Sequence, residues 1–166
     1  VFAGRVSDAK GAEVLKYIMS KAKYPKFHII GEGPKLNELK NFSRKNKLNK
    51  VIFWGKQDYE NTLKIISGAG CTVVPSQMGE SFGLVAAESM ALGVPVVASN
   101  MGGLNNLVKL GGGTVVNARI FEHFRKSIEM YLEDDHKANL VGKKGQDYVA
   151  KNLSIQKTVK ILTNIY

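Results

Sequence analysis

The stretch from Pro75 to Ala98 constrains the fold of this chain more than any other. An apolar run, 71–74, leads into a polar turn, and an alanine-rich segment begins at Phe82. This segment predicts a helix that ends at Gly93, a residue suited to a left-handed helix cap. The residues that follow, Val96 to Ala98, are apolar in unbroken succession, which is typical of a strand covered on both faces. Strand, loop, helix and strand in this order predict a parallel sheet.

The same alternation runs through the rest of the chain. It predicts an α/β fold: a Rossmann-like, doubly wound parallel sheet of about six strands with helices on both faces. The length of 166 residues, 44% of them hydrophobic, suits a single globular domain spanning residues 1–166. Further strands are predicted at Val1–Gly4, Phe27–Ile30, Val51–Trp54 and Thr114–Val116, with helices between them and a last helix that begins at Ser154.

Two carboxylates in the central stretch need hydrogen-bond partners. Glu88 lies inside the predicted helix among alanines, where a carboxylate is costly unless hydrogen-bonded, and the vicinal hydroxyls of a sugar would supply such bonds. An exposed helix glutamate is the structural alternative. Glu80 precedes the helix at the carboxyl end of a strand, where open α/β sheets bind ligands and helix starts attract phosphate. Together the two glutamates indicate a site.

Other candidate groups fall in the loops that follow strands. Arg5 and Lys10 flank the first such loop and together suit a diphosphate, although two solvated cations would fit a basic protein equally well. Gly31 and Gly33 mark the next strand-to-helix junction, as a close backbone approach or as a plain tight turn. Asp58 is predicted to cap the helix after the third strand.

The central stretch strongly resembles the donor-binding lobe of the retaining family 4 glycosyltransferases, which have the GT-B fold. Two glutamates seven residues apart would be weak evidence alone, but the whole string matches the family. The matching elements are Pro75-Ser76, Glu80, Phe82-Gly83-Leu84-Val85, Glu88, Met90-Ala91, Gly93 and Pro95 to Ala98, with Gly4-Arg5, Lys10-Gly11, Gly31-x-Gly33 and Gly102-Gly103 elsewhere.

The resemblance implies a role for each matching residue. Glu88 would bond the ribose hydroxyls of a sugar nucleotide, Glu80 would face the donor sugar, and Arg5 and Lys10 would bind the diphosphate as it leaves. Relatives usually carry a glutamate where Asn106 stands, so any role of that acid is in doubt here. The remaining donor contacts are implied to be the backbone of Phe82, Gly83, Leu84 and Val85, the glycines Gly31 and Gly33, and, near the nucleobase, Lys56 and Gln57.

The resemblance also implies the reaction and its partners. A hexosyl group would pass from a UDP-, GDP- or ADP-linked donor to an acceptor with retention of configuration, without metal or other cofactor. Because family members hold the acceptor in a separate N-terminal lobe, this chain is expected to be a fragment that binds the donor but does not turn over alone. An epimerase or hydrolase that reuses the same lobe, and a non-catalytic nucleotide- or anion-binding module, are the alternatives.

Composition limits the partners, the disulfide content and the location that can be expected of this chain. The net charge is +10, and residues 1–70 hold 14 Lys/Arg against 6 Asp/Glu. Between Lys35 and Lys50 the lysines alternate with apolar residues at helical spacing, without the aromatic interleaving that stacks bases, so nucleic acid is not an expected partner. A solvated basic face is the usual cause of such an excess, and a membrane-associated acceptor is compatible with the charge. The one cysteine, Cys71, excludes a disulfide framework and is expected to be a buried thiol. With no apolar run of about 20 residues and no signal peptide, the expected location is cytoplasmic, including the inner face of the membrane as a peripheral protein.

Overall fold

The computed structural model describes residues 1–153, so the predicted helix that begins at Ser154 lies outside the described residues. Strands and helices alternate as expected. The strands are β1 (Phe2–Ala3), β2 (Phe27–Ile30), β3 (Val51–Gly55), β4 (Thr72–Val74), β5 (Val96–Ser99) and β6 (Thr114–Val116). The helices are α1 (Ala12–Lys21), α2 (Leu36–Lys45), α3 (Tyr59–Ser67), α4 (Leu84–Ala91), α5 (Gly102–Leu110), α6 (Phe121–Glu133) and α7 (Asp135–Asn152).

All the strands pair in parallel, as two groups of three. One group has the order β1-β2-β3 and the other β4-β5-β6, with Phe2 opposite Ile29 and Thr72 opposite Val96. The groups meet where the Val73 N–H donates to the Val1 carbonyl at 2.8 Å. The resulting order, β3-β2-β1-β4-β5-β6, is that of a doubly wound sheet. The prediction of about six parallel strands is confirmed.

The helices cover both faces of the sheet because neighbouring residues of β5 point to opposite sides. Val97 packs in a cluster with residues of α1 and α6, including Leu15 and Phe124, whereas Val96 and Ala98 pack in a second cluster with α4 and α5. All four residues of β5 are fully buried. Apolar side chains on successive positions of this strand therefore fill two separate cores, as the unbroken run Val96 to Ala98 predicts.

Local signals explain several boundaries. The Asp58 carboxylate accepts the Asn61 N–H at 2.7 Å and starts α3, as predicted. The helix predicted from Phe82 begins two residues later, since Gly83, with φ of 88°, supplies its left-handed N-cap. Cys71 is buried and free, and its burial raises the pKa of the thiol. Within residues 1–153 no helix combines the length and apolar character needed to cross a bilayer.

Candidate functional site

The candidate site lies where the direction of winding changes, between β1 and β4. From β1 the chain passes through α1 to β2 on one side, and from β4 it passes through α4 to β5 on the other. The two loops that follow β1 and β4 therefore diverge and leave a crevice at the carboxyl edge of the sheet. Crevices at this position are where open α/β sheets bind ligands.

An ion pair spans this crevice. The Lys10 ammonium contacts Glu80 Oε2, and the Ser76 hydroxyl donates to the same oxygen at 3.1 Å. Ser76 is fully buried, whereas 20% of the Glu80 side chain and 38% of the Lys10 side chain are exposed. The structure thus brings together two of the predicted catalytic residues, 70 positions apart in the chain, and holds the carboxylate from its buried side while leaving the cation accessible.

Glycines allow the three loops of the site to approach one another closely. Gly11 has φ of 86°, and a Cβ there would lie 2.1 Å from the Pro75 carbonyl oxygen. In the first turn of α5, directly after the loop that follows β5, the Gly103 N–H donates to the Glu80 carbonyl at 2.8 Å. A Cβ on Gly103 would lie 2.1 Å from the Ser81 carbonyl oxygen. The loops after β1, β4 and β5 are therefore in backbone contact, with Glu80 between them.

The amino terminus of α4 lies at the same edge of the sheet, after β4. Gly83 caps this helix without any side-chain hydrogen bond. Among residues 1–153, the backbone N–H groups of Phe82, Gly83, Leu84 and Val85 have no hydrogen-bond acceptor. Because free amides and the helix dipole both favour negative charge at a helix start, these four groups are suited to an anionic ligand.

Glu88 lies one turn further along α4 and is half-buried. Burial raises the pKa of its carboxyl group, and a hydrogen bond with the Tyr59 side chain partly opposes that shift. Glu88 lines a shallow depression together with Phe82 and Leu84, whose side chains are 41% and 68% exposed. A half-buried carboxylate with one phenol partner still has acceptor positions for hydroxyl groups of a ligand.

The predicted residues of the first two loops have different surroundings. Arg5 is exposed and forms no ion pair in the part of the chain that the structure describes. Gly31 and Gly33 instead pack against the backbone of the first loop. A Cβ on Gly31 would lie 2.0 Å from the Gly4 carbonyl oxygen, and a Cβ on Gly33 would lie 2.3 Å from the Val6 carbonyl oxygen. The need for glycine at these two positions therefore has a structural cause, independent of any ligand contact.

The loop after β3 is held by its own side chains. Gln57 Nε2 donates to the Trp54 carbonyl at 2.8 Å, while Lys56 is exposed. Trp54 packs on one side against His28, with ring centroids 5.9 Å apart, and its Nε1–H donates to His28 Nδ1 at 2.9 Å. Trp54 is nevertheless 39% exposed.

Some contributors were not predicted from the sequence. Ser76 was noted as part of the matching string, but its hydrogen bond to Glu80 was not foreseen. Tyr59 was seen only as the first residue of a helix, and no spacing rule connects it with Glu88, which lies on a different helix. Asn106 is exposed on α5.

Comparison with known proteins agrees with this geometry. Residues 1–157 match the family model described as glycosyl transferases group 1. The chain belongs to this family. Its fold is that of the C-terminal lobe of a GT-B glycosyltransferase.

Similar proteins are longer than this chain. A glycosyltransferase of Methanocaldococcus jannaschii is 26% identical over 167 residues, which cover 100% of this chain and 47% of the relative. The D-inositol 3-phosphate glycosyltransferase of Corynebacterium aurimucosum is 29% identical over 99% of this chain and 42% of its own length. The chain thus spans less than half of these two curated relatives.

Solved structures share the fold. Anabaena HepE in complex with UDP superposes with a TM-score of 0.87 over 98% of this chain and 48% of HepE, at 22% identity. The C-terminal domain of a glycosyl transferase group 1 family protein from Francisella tularensis superposes with a TM-score of 0.81 at 25% identity, covering 93% of this chain and 85% of that one. A chain of similar extent has therefore been crystallised as a separate domain.

Proposed function

We propose that this chain is the donor-binding domain of a retaining, family 4 hexosyltransferase and that it binds a nucleoside diphosphate sugar. The observation that carries the proposal is the Lys10 and Glu80 pair at the switch point of the sheet, beside four free amides at the start of α4. This arrangement offers a cation and helix N–H groups to a diphosphate, and a fixed carboxylate to a sugar.

The proposed roles follow from these positions. Lys10, the α4 amides and the exposed Arg5 would bind the diphosphate. Glu88, with free acceptor positions in a shallow depression, would accept hydrogen bonds from the ribose hydroxyls. Glu80 would face the sugar. Lys56 and Gln57 would adjoin the nucleobase, with the exposed Trp54 face nearby.

The chemistry requires no protein nucleophile. As the bond between the anomeric carbon and the phosphate oxygen breaks, positive charge grows on the sugar and negative charge on the diphosphate. Lys10, Arg5 and the α4 amides would stabilise the leaving diphosphate, where a single preorganised donor contributes about 3 kcal/mol. The Glu80 carboxylate would stabilise the positive sugar. The acceptor would attack from the face that the diphosphate leaves and pass its proton to that phosphate, which retains the configuration.

The acceptor is proposed to bind elsewhere. The chain covers 47% and 42% of the two relatives described above, which supports a second, N-terminal lobe in the complete protein. We therefore expect the 166-residue chain to bind the donor without transferring sugar. Sugar transfer by this chain alone would contradict the division into donor and acceptor lobes, and an inverted anomeric product from the complete protein, assigned by NMR, would contradict retention.

Calorimetric titration of the chain tests donor binding directly. UDP, GDP, ADP and their sugar conjugates would be titrated into the wild type and into Arg5→Ala and Glu88→Ala, with Lys109→Ala as a control on the exposed surface of α5. The proposal expects one diphosphate to bind selectively and both site variants, but not the control, to weaken it. Equal binding of all nucleotides with no effect of either variant would overturn the proposal.

A further inference from the structure

The positive charge of the chain is concentrated in two short segments. Residues 21–26 and 40–50 contain eight cations and no carboxylate, while the other six Lys/Arg of residues 1–70 are matched by six Asp/Glu. The excess charge of this half of the protein therefore lies entirely in these segments. We call the eight residues the basic patch: Lys21, Lys23, Lys26, Lys40, Arg44, Lys45, Lys47 and Lys50.

The fold places the two segments side by side. Residues 21–26 precede β2 and residues 46–50 precede β3, which are paired neighbours, and the Phe27 N–H donates to the Lys50 carbonyl at 2.8 Å. Lys23, Lys47 and Lys50 line one open groove between the segments. All eight side chains of the basic patch are exposed. Lys23, Lys47 and Lys50 therefore share one surface at the amino edge of the sheet, at the opposite strand ends from the candidate site, and the other cations of the patch lie on the segments that flank it.

Carboxylates do not neutralise this surface. Within residues 1–153 none of the eight side chains takes part in an ion pair, and Arg44 donates to the neutral Asn41 Oδ1 at 3.2 Å. A nearby carboxylate, Glu129, accepts the backbone N–H of Lys23 at 2.7 Å. Glu129 is already paired with Arg125. The eight charges are therefore available to a partner.

Helix termini account for only part of the patch. Lys21, Arg44 and Lys45 lie in the last turns of α1 and α2, where cations favourably oppose the helix dipole. Lys23, Lys26, Lys47 and Lys50 lie outside both helices, so this effect does not explain them. The positive charge at these four positions therefore has a cause other than the helix dipole.

Lys47 adds an independent observation. It follows Asn46, the C-cap of α2, in a left-handed conformation with φ of 53°, and is the one non-glycine residue with positive φ among residues 1–153. The Leu48 N–H donates to the Ser43 carbonyl at 2.9 Å and the Lys47 N–H to the Arg44 carbonyl at 3.1 Å, the pattern of a Schellman motif. Glycine or asparagine is favoured at this position, so the chain carries a charged side chain where its own backbone is strained.

We propose that the basic patch docks the protein on an anionic lipid surface. Seven of its eight cations are lysines, point charges that suit a diffuse negative surface better than the planar fork of arginine suits a defined phosphate. No aromatic side chain in residues 21–26 or 40–50 is exposed for base stacking. Since the patch and the candidate site lie at opposite strand ends, docking leaves the crevice open. The proposal is independent of donor binding.

Vesicle co-sedimentation of the 166-residue chain tests this proposal. Phosphatidylcholine vesicles with and without phosphatidylglycerol would be compared, using a patch variant, Lys23→Ser/Lys47→Asn/Lys50→Ser. Its matched control, Lys109→Ser/Lys126→Ser/Lys137→Ser, removes the same charge from exposed positions on α5 to α7. The patch variant should lose on the order of 100-fold in affinity for the anionic vesicles, because each lysine contributes about fivefold, and the control should lose far less.

Several results would overturn the assignment. Equal losses in the two variants would mean that net charge alone governs binding, and equal binding to neutral vesicles would remove the electrostatic basis. Preference for a short RNA over the anionic vesicles would assign the patch to nucleic acid instead.

The single variant Lys47→Asn separates charge from folding. We expect its vesicle affinity to fall about fivefold, while its Tm is unchanged or higher because asparagine tolerates the left-handed conformation. Its UDP titration should match that of the wild type, which keeps this test distinct from that of the donor site. A lower Tm with unchanged vesicle binding would show that Lys47 has a structural role only.

Discussion

At the carboxyl edge of the sheet, Lys10 is paired with Glu80, and Lys35 is paired with Asp8 and Glu38. At the amino edge, the cations of the basic patch have no carboxylate partner within residues 1–153. At the carboxyl edge, Gly11 also permits a backbone contact closer than any side chain would allow.

This difference indicates two kinds of recognition. A site built from paired charges, free amides and contacting loops has one shape, so it suits a small ligand whose atoms meet defined partners. A surface of unpaired lysines has no such shape and suits an extended anion. The following predictions test whether the two edges differ in this way.

The largest expected effect concerns the close contact at Gly11. Gly11→Ala should lower the free energy of unfolding by about 3 kcal/mol or more, because the Cβ would meet the Pro75 carbonyl oxygen at 2.1 Å. The matched control is Gly93→Ala, before β5, where φ is also positive and no atom lies within 4 Å of the added Cβ. At Gly93 only the strain of an L-residue in the left-handed conformation, on the order of 1 to 2 kcal/mol, should lower the free energy of unfolding. Equal losses in denaturant unfolding would contradict the proposed tight contact.

The next effect concerns the cation in the crevice. Lys10→Met should weaken UDP binding on the order of 30-fold, since a charged hydrogen bond to a phosphate contributes about 2 kcal/mol. Lys109→Met removes an equal charge from an exposed position on α5 and should leave the Kd nearly unchanged. If calorimetry shows similar small losses in both variants, the crevice attracts nucleotides by overall charge and does not differ in kind from the amino edge.

A smaller effect concerns the pH dependence of Glu88. Its pKa is raised above 4.5 by burial, so the carboxylate takes up a proton at a higher pH than an ordinary glutamate does. Since the proposed ribose contact needs the carboxylate, affinity for UDP-glucose should fall several-fold as the pH is lowered through this raised pKa. Glu88→Gln should bind weakly without this pH dependence. In Tyr59→Phe, which loses the bond that favours the carboxylate, the decline should begin at higher pH. An unchanged profile in both variants would contradict the assigned role.

The smallest effect is spectroscopic. Trp54 is the only tryptophan and donates its indole N–H to His28 Nδ1, so His28 accepts in its neutral form. Burial, together with the charge of Lys26, lowers the pKa of His28 below 6.5. Tryptophan fluorescence should therefore stay constant near neutral pH and change only once the pH falls below 6.5, when protonation removes the acceptor. The same acid transition in His28→Gln would show that another group causes it.

The sequence predicts the elements of this fold closely. β2 at Phe27–Ile30 has the predicted bounds and α3 begins directly after its predicted cap, Asp58, because short apolar runs and an aspartate cap are local signals. These local signals do not predict the exposure of individual side chains. Trp54 is 39% exposed because it lies on the edge strand β3. The order of the strands, and hence the exposed edge, cannot be deduced from a local pattern.

The candidate site shows the same division. The string around Glu80 and Glu88 identified both carboxylates, and Lys10 followed from its place after β1. The contact between Lys10 and Glu80 depends on β1 and β4 being neighbours, which joins residues 70 positions apart. The glycine doublet at Gly102 and Gly103 was matched to the family, but its approach to the backbone of Glu80 and Ser81 became apparent only from the packing of two loops.

Hydrophobic periodicity, proline, glycine and capping residues act over a few positions, so the amino-acid sequence predicts the parallel α/β class, the strand and helix positions and the residue types at the carboxyl edge. Which charges are paired follows only from the packing of the folded chain. Lys10 meets a carboxylate across the switch point, whereas Lys23, Lys47 and Lys50 meet one another around an open groove. Ion pairing depends on distances between residues far apart in the chain, and the packing of the strands sets those distances.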